Sequence, residues 1–282
     1  MSFKKIYLNG CSFMWGMNHS NPDMFPYFEE TKDIDTSHGV HWNGHTQFNN
    51  YDWVREKYNI AGRLREHYTD KEIIDQSIYG GSLQRVIRKT YNWIINNYEA
   101  AGETLFILEW PVGVRNEIYI PIQNRYVNYT SNFDNFDGMN PYIHRLMINE
   151  FAPNFFSEGI HFIEDLHSII GLLSFIKQAG GKYLILLDEF PIENYSDESL
   201  KYINENRIKN ILNEFVYPHI IRFNHTEKQN IKSLIEYYRD YENATFTNDT
   251  QGRLQDDHNS LRGTKLITEQ IIKNIKNSYE TN

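Results

Sequence analysis

One cysteine, Cys11, stands in a chain of 282 residues. That excludes an intrachain disulfide and any cysteine-based zinc cluster. Basic charge is also scarce: 28 Lys and Arg against 37 Asp and Glu leave a formal net charge of −9. Recognition of nucleic-acid phosphates calls for clustered Lys and Arg, so no nucleic-acid partner is expected. No segment reaches the ~18 consecutive apolar residues of a membrane helix, so no membrane span is expected. The N-terminal MSFKKIYLNG lacks the apolar core and cleavage site of a secretory signal. The expectation is a soluble, cytoplasmic protein, and one later carried into a virion would read the same way.

Aromatic residues, in contrast, are abundant at 15%, with 20 Tyr and 17 Phe. The apolar pattern alternates short runs with helical periods. Ile6-Tyr7-Leu8 is a first strand, and it ends in Asn9-Gly10-Cys11-Ser12. A helix is predicted over 50–68, a strand over 72–75, a glycine turn over 77–82 and a helix over 83–98. The run 104–108 reads as a strand buried on both faces, stopping at Glu109-Trp110-Pro111. Beyond it come a helix over 155–178, a strand over 183–187, a helix over 196–215, a short strand at 220–221, and helices over 228–238 and 261–275. Strands alternating with helices imply an α/β fold: a three-layer sandwich with a flavodoxin-like central parallel sheet of about five strands and helices on both faces. The whole of 1–282 reads as a single domain with insertions near 17–47 and 111–154, the second lying over the carboxyl edge of the sheet.

Chemistry concentrates at two places. Ser12 follows the first strand, where a parallel sheet presents reactive groups, and Gly10 permits close backbone approach. A serine there also serves commonly as a helix cap or turn ligand. At the far end, Leu254-Gln255-Asp256-Asp257-His258-Asn259-Ser260 precedes the last helix. An acid there can orient the His258 imidazole, which can then take a proton from a hydroxyl on another strand. Alternatively, Asp256 or Asp257 caps the helix and His258 is merely exposed.

Other candidates have plainer explanations. His38, His41 and His45 invite a metal site but lie in a glycine- and asparagine-rich loop, so no metal is expected. Glu109 is either a buried acid of raised pKa or a partner of Arg115, with pairing favoured. Trp110 is core or cleft lining. Cys11 is small interior packing, since a buried free thiol is usually inert. Arg85 and Arg88, three apart on a helix, form a solvated face by default.

Taken together, these blocks resemble the SGNH (GDSL-like) hydrolase family. Asn9-Gly10-Cys11-Ser12-Phe13 is similar to its first block, in the Gly-Cys-Ser-Phe form of a phage- and bacteria-associated subset. Gly80-Gly81-Ser82 with Arg85 looks like the second, and Asp256-Asp257-His258-Asn259-Ser260 with Gly263 like the last. The family's last block usually has Asp three residues before His, a place taken here by Gln255, so Asp256 is the orienting acid and Asp257 the second choice. The third-block asparagine is replaced by Leu108-Glu109-Trp110-Pro111, which leaves one of three oxyanion donors unassigned.

The resemblance implies a Ser12–His258–Asp256 triad, with the Ser12 and Gly81 amides as oxyanion hole and no cofactor. It implies an esterase that cleaves an O-acyl ester, acetyl above all, through an acyl-enzyme. Glycan esters are among its substrates, with Trp110 and Arg115 as binding residues on an aromatic rim. Acyl transfer uses the same triad. The alternative is a weak or inactive relative that serves as a ligand-binding or structural part of a larger assembly such as a virion.

Overall fold

A period of two along three neighbouring strands sets the architecture. The computed structural model describes residues 3–11, 14, 33, 52–78, 81–111, 115–121, 124–130, 158–187, 201, 208–221, 245–246, 256–259 and 261–280. In chain order the elements are β1 (Lys5–Asn9), α1 (Asp52–Tyr58), α2 (Ile60–His67), β2 (Glu72–Asp75), α3 (Leu83–Asn96), α4 (Tyr98–Ala101), β3 (Thr104–Trp110), β4 (Arg115–Ile120), β5 (Arg125–Thr130), α5 (Glu158–Gln178), β6 (Lys182–Leu187), α6 (Ile208–Phe215), β7 (Thr245–Phe246), β8 (Asp256–Asn259) and α7 (Leu261–Ile275).

The central sheet is parallel, in the order β2-β1-β3-β6. On one face Ile6, Leu8, Leu105, Ile107, Leu184 and Leu186 pack under α2 and α7. On the other, Tyr7, Phe106, Leu108, Tyr183, Ile185 and Leu187 pack under α3, α5 and α6. Alternate side chains thus enter two separate cores, which is why these strands read as continuous apolar runs. Fully burying one such Leu or Ile is worth ~1.5–3 kcal/mol, so the two cores supply the main stabilisation.

The expected α/β sandwich with helices on both faces is present, with a correction to its strand count: the central sheet has four strands among the described residues rather than five. The fifth candidate, Ile220, makes a single parallel bridge to Ile185, and Ile221 N donates to Ile185 O at 2.8 Å. A tight turn over Tyr217–His219, containing Pro218, runs directly into Ile220, so pairing with β6 cannot start before that residue.

Other boundaries also move. The helix predicted over 50–68 is two, because the Asn59 side chain accepts the Gly62 N–H at 2.7 Å and caps α2 anew. β3 runs on through Glu109 and Trp110, which pair with Leu186 and Leu187. Within the second insertion β4 and β5 form an antiparallel hairpin, and Asn124 takes the left-handed position of its turn with φ 49°. The first insertion with its three histidines (Asp33 apart), Ser12, Gly80, most of 196–207 and the helix expected over 228–238 lie outside the described residues.

Candidate active site

The sheet grows first from β1 to β2 on one side and then to β3 on the other. The carboxyl ends of β1 and β3 therefore flank a topological switch point, where open α/β sheets bind ligands. Asn9-Gly10-Cys11 and Glu109-Trp110 meet at this edge.

Asn9 follows the alternation of Tyr7 and faces α3. Its Nδ2 donates to Val86 O at 3.0 Å and Thr90 Oγ1 at 3.1 Å, and its Oδ1 accepts from Arg85 Nη1 at 3.2 Å. The same Arg85 nitrogen donates to Gln76 O at 3.0 Å, which joins the ends of β1 and β2. Arg85 is only 8% exposed, and burial lowers its guanidinium pKa against the raising effect of Glu117. The solvated face expected of Arg85 and Arg88 is thus corrected: Arg85 is a buried brace, and Arg88 pairs with Glu117 of β4. Their partners are remote in sequence, so helical spacing alone gives no sign of them.

Glu109 follows the opposite alternation and is fully buried with the Leu105 and Ile107 face. Its Oε2 accepts the Cys11 N–H at 2.5 Å, and its Oε1 accepts the Cys11 thiol at 3.0 Å. The partner of Glu109 among the described residues is Cys11; the Arg115 side chain expected to pair with it lies outside them. Gly10 makes room for this side chain, since a Cβ there would collide with Oε2 and lie 2.7 Å from the Glu109 Cβ. Cys11 is fully buried, as its packing role requires.

Gly81 is brought against the same turn. A Cβ on it would stand 2.8 Å from Gly10 O and 3.4 Å from Cys11 Cα, so only glycine permits this approach. Ile78 N donates to Gly10 O at 3.2 Å, while Gly81 N donates to Ile78 O at 3.3 Å, a long bond that closes its own turn. Ser82 caps α3 by accepting Arg85 N at 3.2 Å. Next to the cap, Gln84 Nε2 donates to Asp165 Oδ1 of α5 at 2.8 Å. Burial pushes the Asp165 carboxyl up to about 7, with Glu164 adding to the rise and Gln84 opposing it. The apolar spacing of α5 gives no hint of this buried acid.

Asp256, Asp257 and His258 lie in β8, which pairs with β7 through Phe246↔Asp256 and Thr245↔Asn259. Both acids lie in β8, which ends at Asn259, whereas α7 begins at Leu261, so neither occupies the position next to the helix. α7 follows at once, and its apolar face (Ile267, Ile271, Ile275) shares a core with Leu8, Cys11 and Met14. Just past its end, Tyr279 OH donates to Tyr183 O at 2.8 Å, at the amino end of β6. α7 therefore runs opposite to the strands, and its beginning, with β8 before it, points toward the carboxyl edge. Trp110 is 4% exposed and packs in the core with Ile185 and Leu187, so it is core rather than cleft lining. Arg115 opens β4 opposite Thr130.

Among the described residues no group of His, Cys, Asp and Glu could hold a metal ion, and no helix is long and apolar enough to cross a membrane. No protein-family model matches the chain, and no curated protein does. Solved structures similar to it include the psychrotrophic esterase EstA from Pseudoalteromonas sp., at 12% identity and a TM-score of 0.48, covering 99% of this chain and 100% of that one. Another is the acetylxylan esterase Axe2 from Geobacillus stearothermophilus, at 11% identity and 0.43, covering 97% and 94%. A third is a member of the lipolytic G-D-S-L family from Veillonella parvula, at 12% and 0.42, covering 95% and 96%.

Proposed function

We propose that this chain, read over 1–282 as one domain, is a serine hydrolase of SGNH type that cleaves an O-acyl ester. The observation that carries the reading is the seating of Gly81 against Gly10 and Cys11 at the switch point, directly before Ser12. The direction of α7 supports it, because Asp256 and His258 are delivered toward the same edge from the other end of the chain.

In the proposed reaction His258 takes the Ser12 hydroxyl proton as the oxygen attacks the ester carbonyl. Asp256 holds the imidazole in the required tautomer. The Ser12 and Gly81 amides receive the developing oxyanion, for which Gly81 N–H must turn from its long bond to Ile78 O. Collapse expels the alcohol, which takes the proton from His258, and water then releases the acid by the same route. Acetyl esters of carbohydrates are the substrate class favoured, with Arg115 and the aromatic hairpin as the binding rim.

Turnover of p-nitrophenyl acetate, followed by a panel of acetylated sugars, tests the reading. Ser12→Ala and His258→Ala should each cost at least ~10³-fold in kcat while circular dichroism stays unchanged. Equal turnover by both variants and the native chain would contradict it.

A specific observation favours a second reading, that of a weak or non-catalytic relative in a larger assembly. Glu109 stands where the third-block asparagine would, and a carboxylate offers acceptors only, so it cannot donate an N–H to an oxyanion. Binding of an acetylated sugar that Ser12→Ala leaves intact, without turnover by the native chain, would establish that reading.

A further inference from the structure

The Glu109 carboxylate has no task in the reaction proposed above. The alternation of β3 sends it to the face of Leu105 and Ile107, where it is fully buried and bonded to both the amide and the thiol of Cys11. The absent Cβ of Gly10 is the space this side chain fills. Two successive residues, Gly10 and Cys11, are thus shaped around one carboxylate from the neighbouring strand. Both stand immediately before Ser12.

A peptide unit is planar, so holding the Cys11 N–H restricts how the turn can rock about that residue. With this N–H committed to Glu109, Cys11 has no amide to offer the cleft. Of the first turn, the Ser12 amide is then the one proposed to meet the oxyanion, beside that of Gly81. We infer that Glu109 is a positioning residue: it reaches across the switch point from β3 and clamps the Cys11 peptide, setting the nucleophile turn from beneath. Its effect on turnover rests on the hydrolase reading; the clamp itself does not. What the clamp needs is an acceptor at this reach, not a charge.

Glu109→Gln and Glu109→Asp separate these two properties in the full-length protein. One keeps the reach and drops the charge; the other keeps the charge one methylene short. Two readouts are taken: kcat and KM with p-nitrophenyl acetate, and the rate at which Ellman's reagent modifies the sole cysteine. In Glu109→Gln the side-chain carbonyl accepts the Cys11 N–H and the amide nitrogen turns to the sulfur. Its kcat should stay within about threefold of the native value and the thiol should stay as protected. Glu109→Asp should lose about 10–100-fold in kcat, with KM within about threefold. Its thiol should react at least ~10-fold faster, because the turn opens more often.

Gly10→Ala displaces Glu109 by collision and should reproduce the Glu109→Asp pattern, which keeps the test available should Glu109→Asp not fold. Loss in Glu109→Gln, or native values in both Glu109→Asp and Gly10→Ala, would overturn the clamp. If the native chain turns over no acetyl ester, the hydrolase reading fails, and the thiol rates still decide the clamp.

Discussion

Arg88 grips Glu117 through two parallel hydrogen bonds, Nε to Oε2 at 2.8 Å and Nη2 to Oε1 at 2.7 Å. The guanidinium also stacks 3.9 Å from the centre of the Tyr126 ring. This fork ties the β4–β5 hairpin to α3, three residues along the helix from Arg85, which braces Asn9. The hairpin and the turn before Ser12 therefore hang on one face of one helix.

The Glu117 side chain is 5% exposed. Arg88→Ala leaves it nearly buried without its cation, at a cost of roughly 2–4 kcal/mol. Thermal unfolding should show the loss, and limited proteolysis should cut faster within 112–131. Arg88→Lys should recover only part of it, because an ammonium cannot make the fork or stack as a plane.

Arg85→Lys tests the neighbouring brace on the same face of the helix. Both bonds leave a single nitrogen, Arg85 Nη1, and a lysine side chain ends one bond short of that position, so its ammonium cannot reach both Asn9 Oδ1 and Gln76 O. Denaturant unfolding should report a loss of about 1–3 kcal/mol. An unchanged midpoint would show that Asn9 and Gln76 are satisfied without it.

Asp165 makes stability depend on pH in a stated direction. Its folded pKa, about 7, lies above the ordinary value near 3.8. The folded state therefore holds a proton that the unfolded chain has lost, and stability falls as pH rises from about 4 to 7. The cost is complete above pH 7, on the order of a few kcal/mol. Asp165→Asn keeps an acceptor for Gln84 and should flatten this slope. It should gain on the native protein as pH rises, with the two converging near pH 4.

Much of this organisation is legible in the sequence, for physical reasons that also mark where it stops. β1, β3 and β6 stand out because burial on both faces makes their central positions apolar, and α7 because Ile267, Ile271 and Ile275 keep one face. Asn59 is hidden: the apolar period continues on both sides of it, and only its side-chain bond to Gly62 breaks the helix. Arg85 and Arg88 read as solvated because Asn9 and Glu117 are distant along the chain. Glu109 carries a partial signal, an acid inside a strand pattern. What spacing cannot supply is its partner, since that depends on which strand lies beside β3. The β4–β5 hairpin is obscured by Tyr- and Asn-rich composition shared with irregular segments.

Gly81→Ala probes the approach of the second glycine turn. Its Cβ would press on a backbone carbonyl, Gly10 O, which has no rotamer by which to yield. The Gly81 segment must withdraw. Loss of one oxyanion donor corresponds to roughly 10²-fold in kcat, with KM little changed. Steady-state kinetics on an acetyl ester measure it, and unchanged kcat would remove Gly81 from the oxyanion hole.

The nucleophile itself is tested most directly by a fluorophosphonate probe and peptide mass spectrometry on the native chain. The expected result is one covalent adduct on Ser12, formed at a rate that collapses in His258→Ala and absent from Ser12→Ala. A native chain that takes up no probe, or is labelled as fast after Ser12→Ala, would contradict the assignment of Ser12 as the nucleophile.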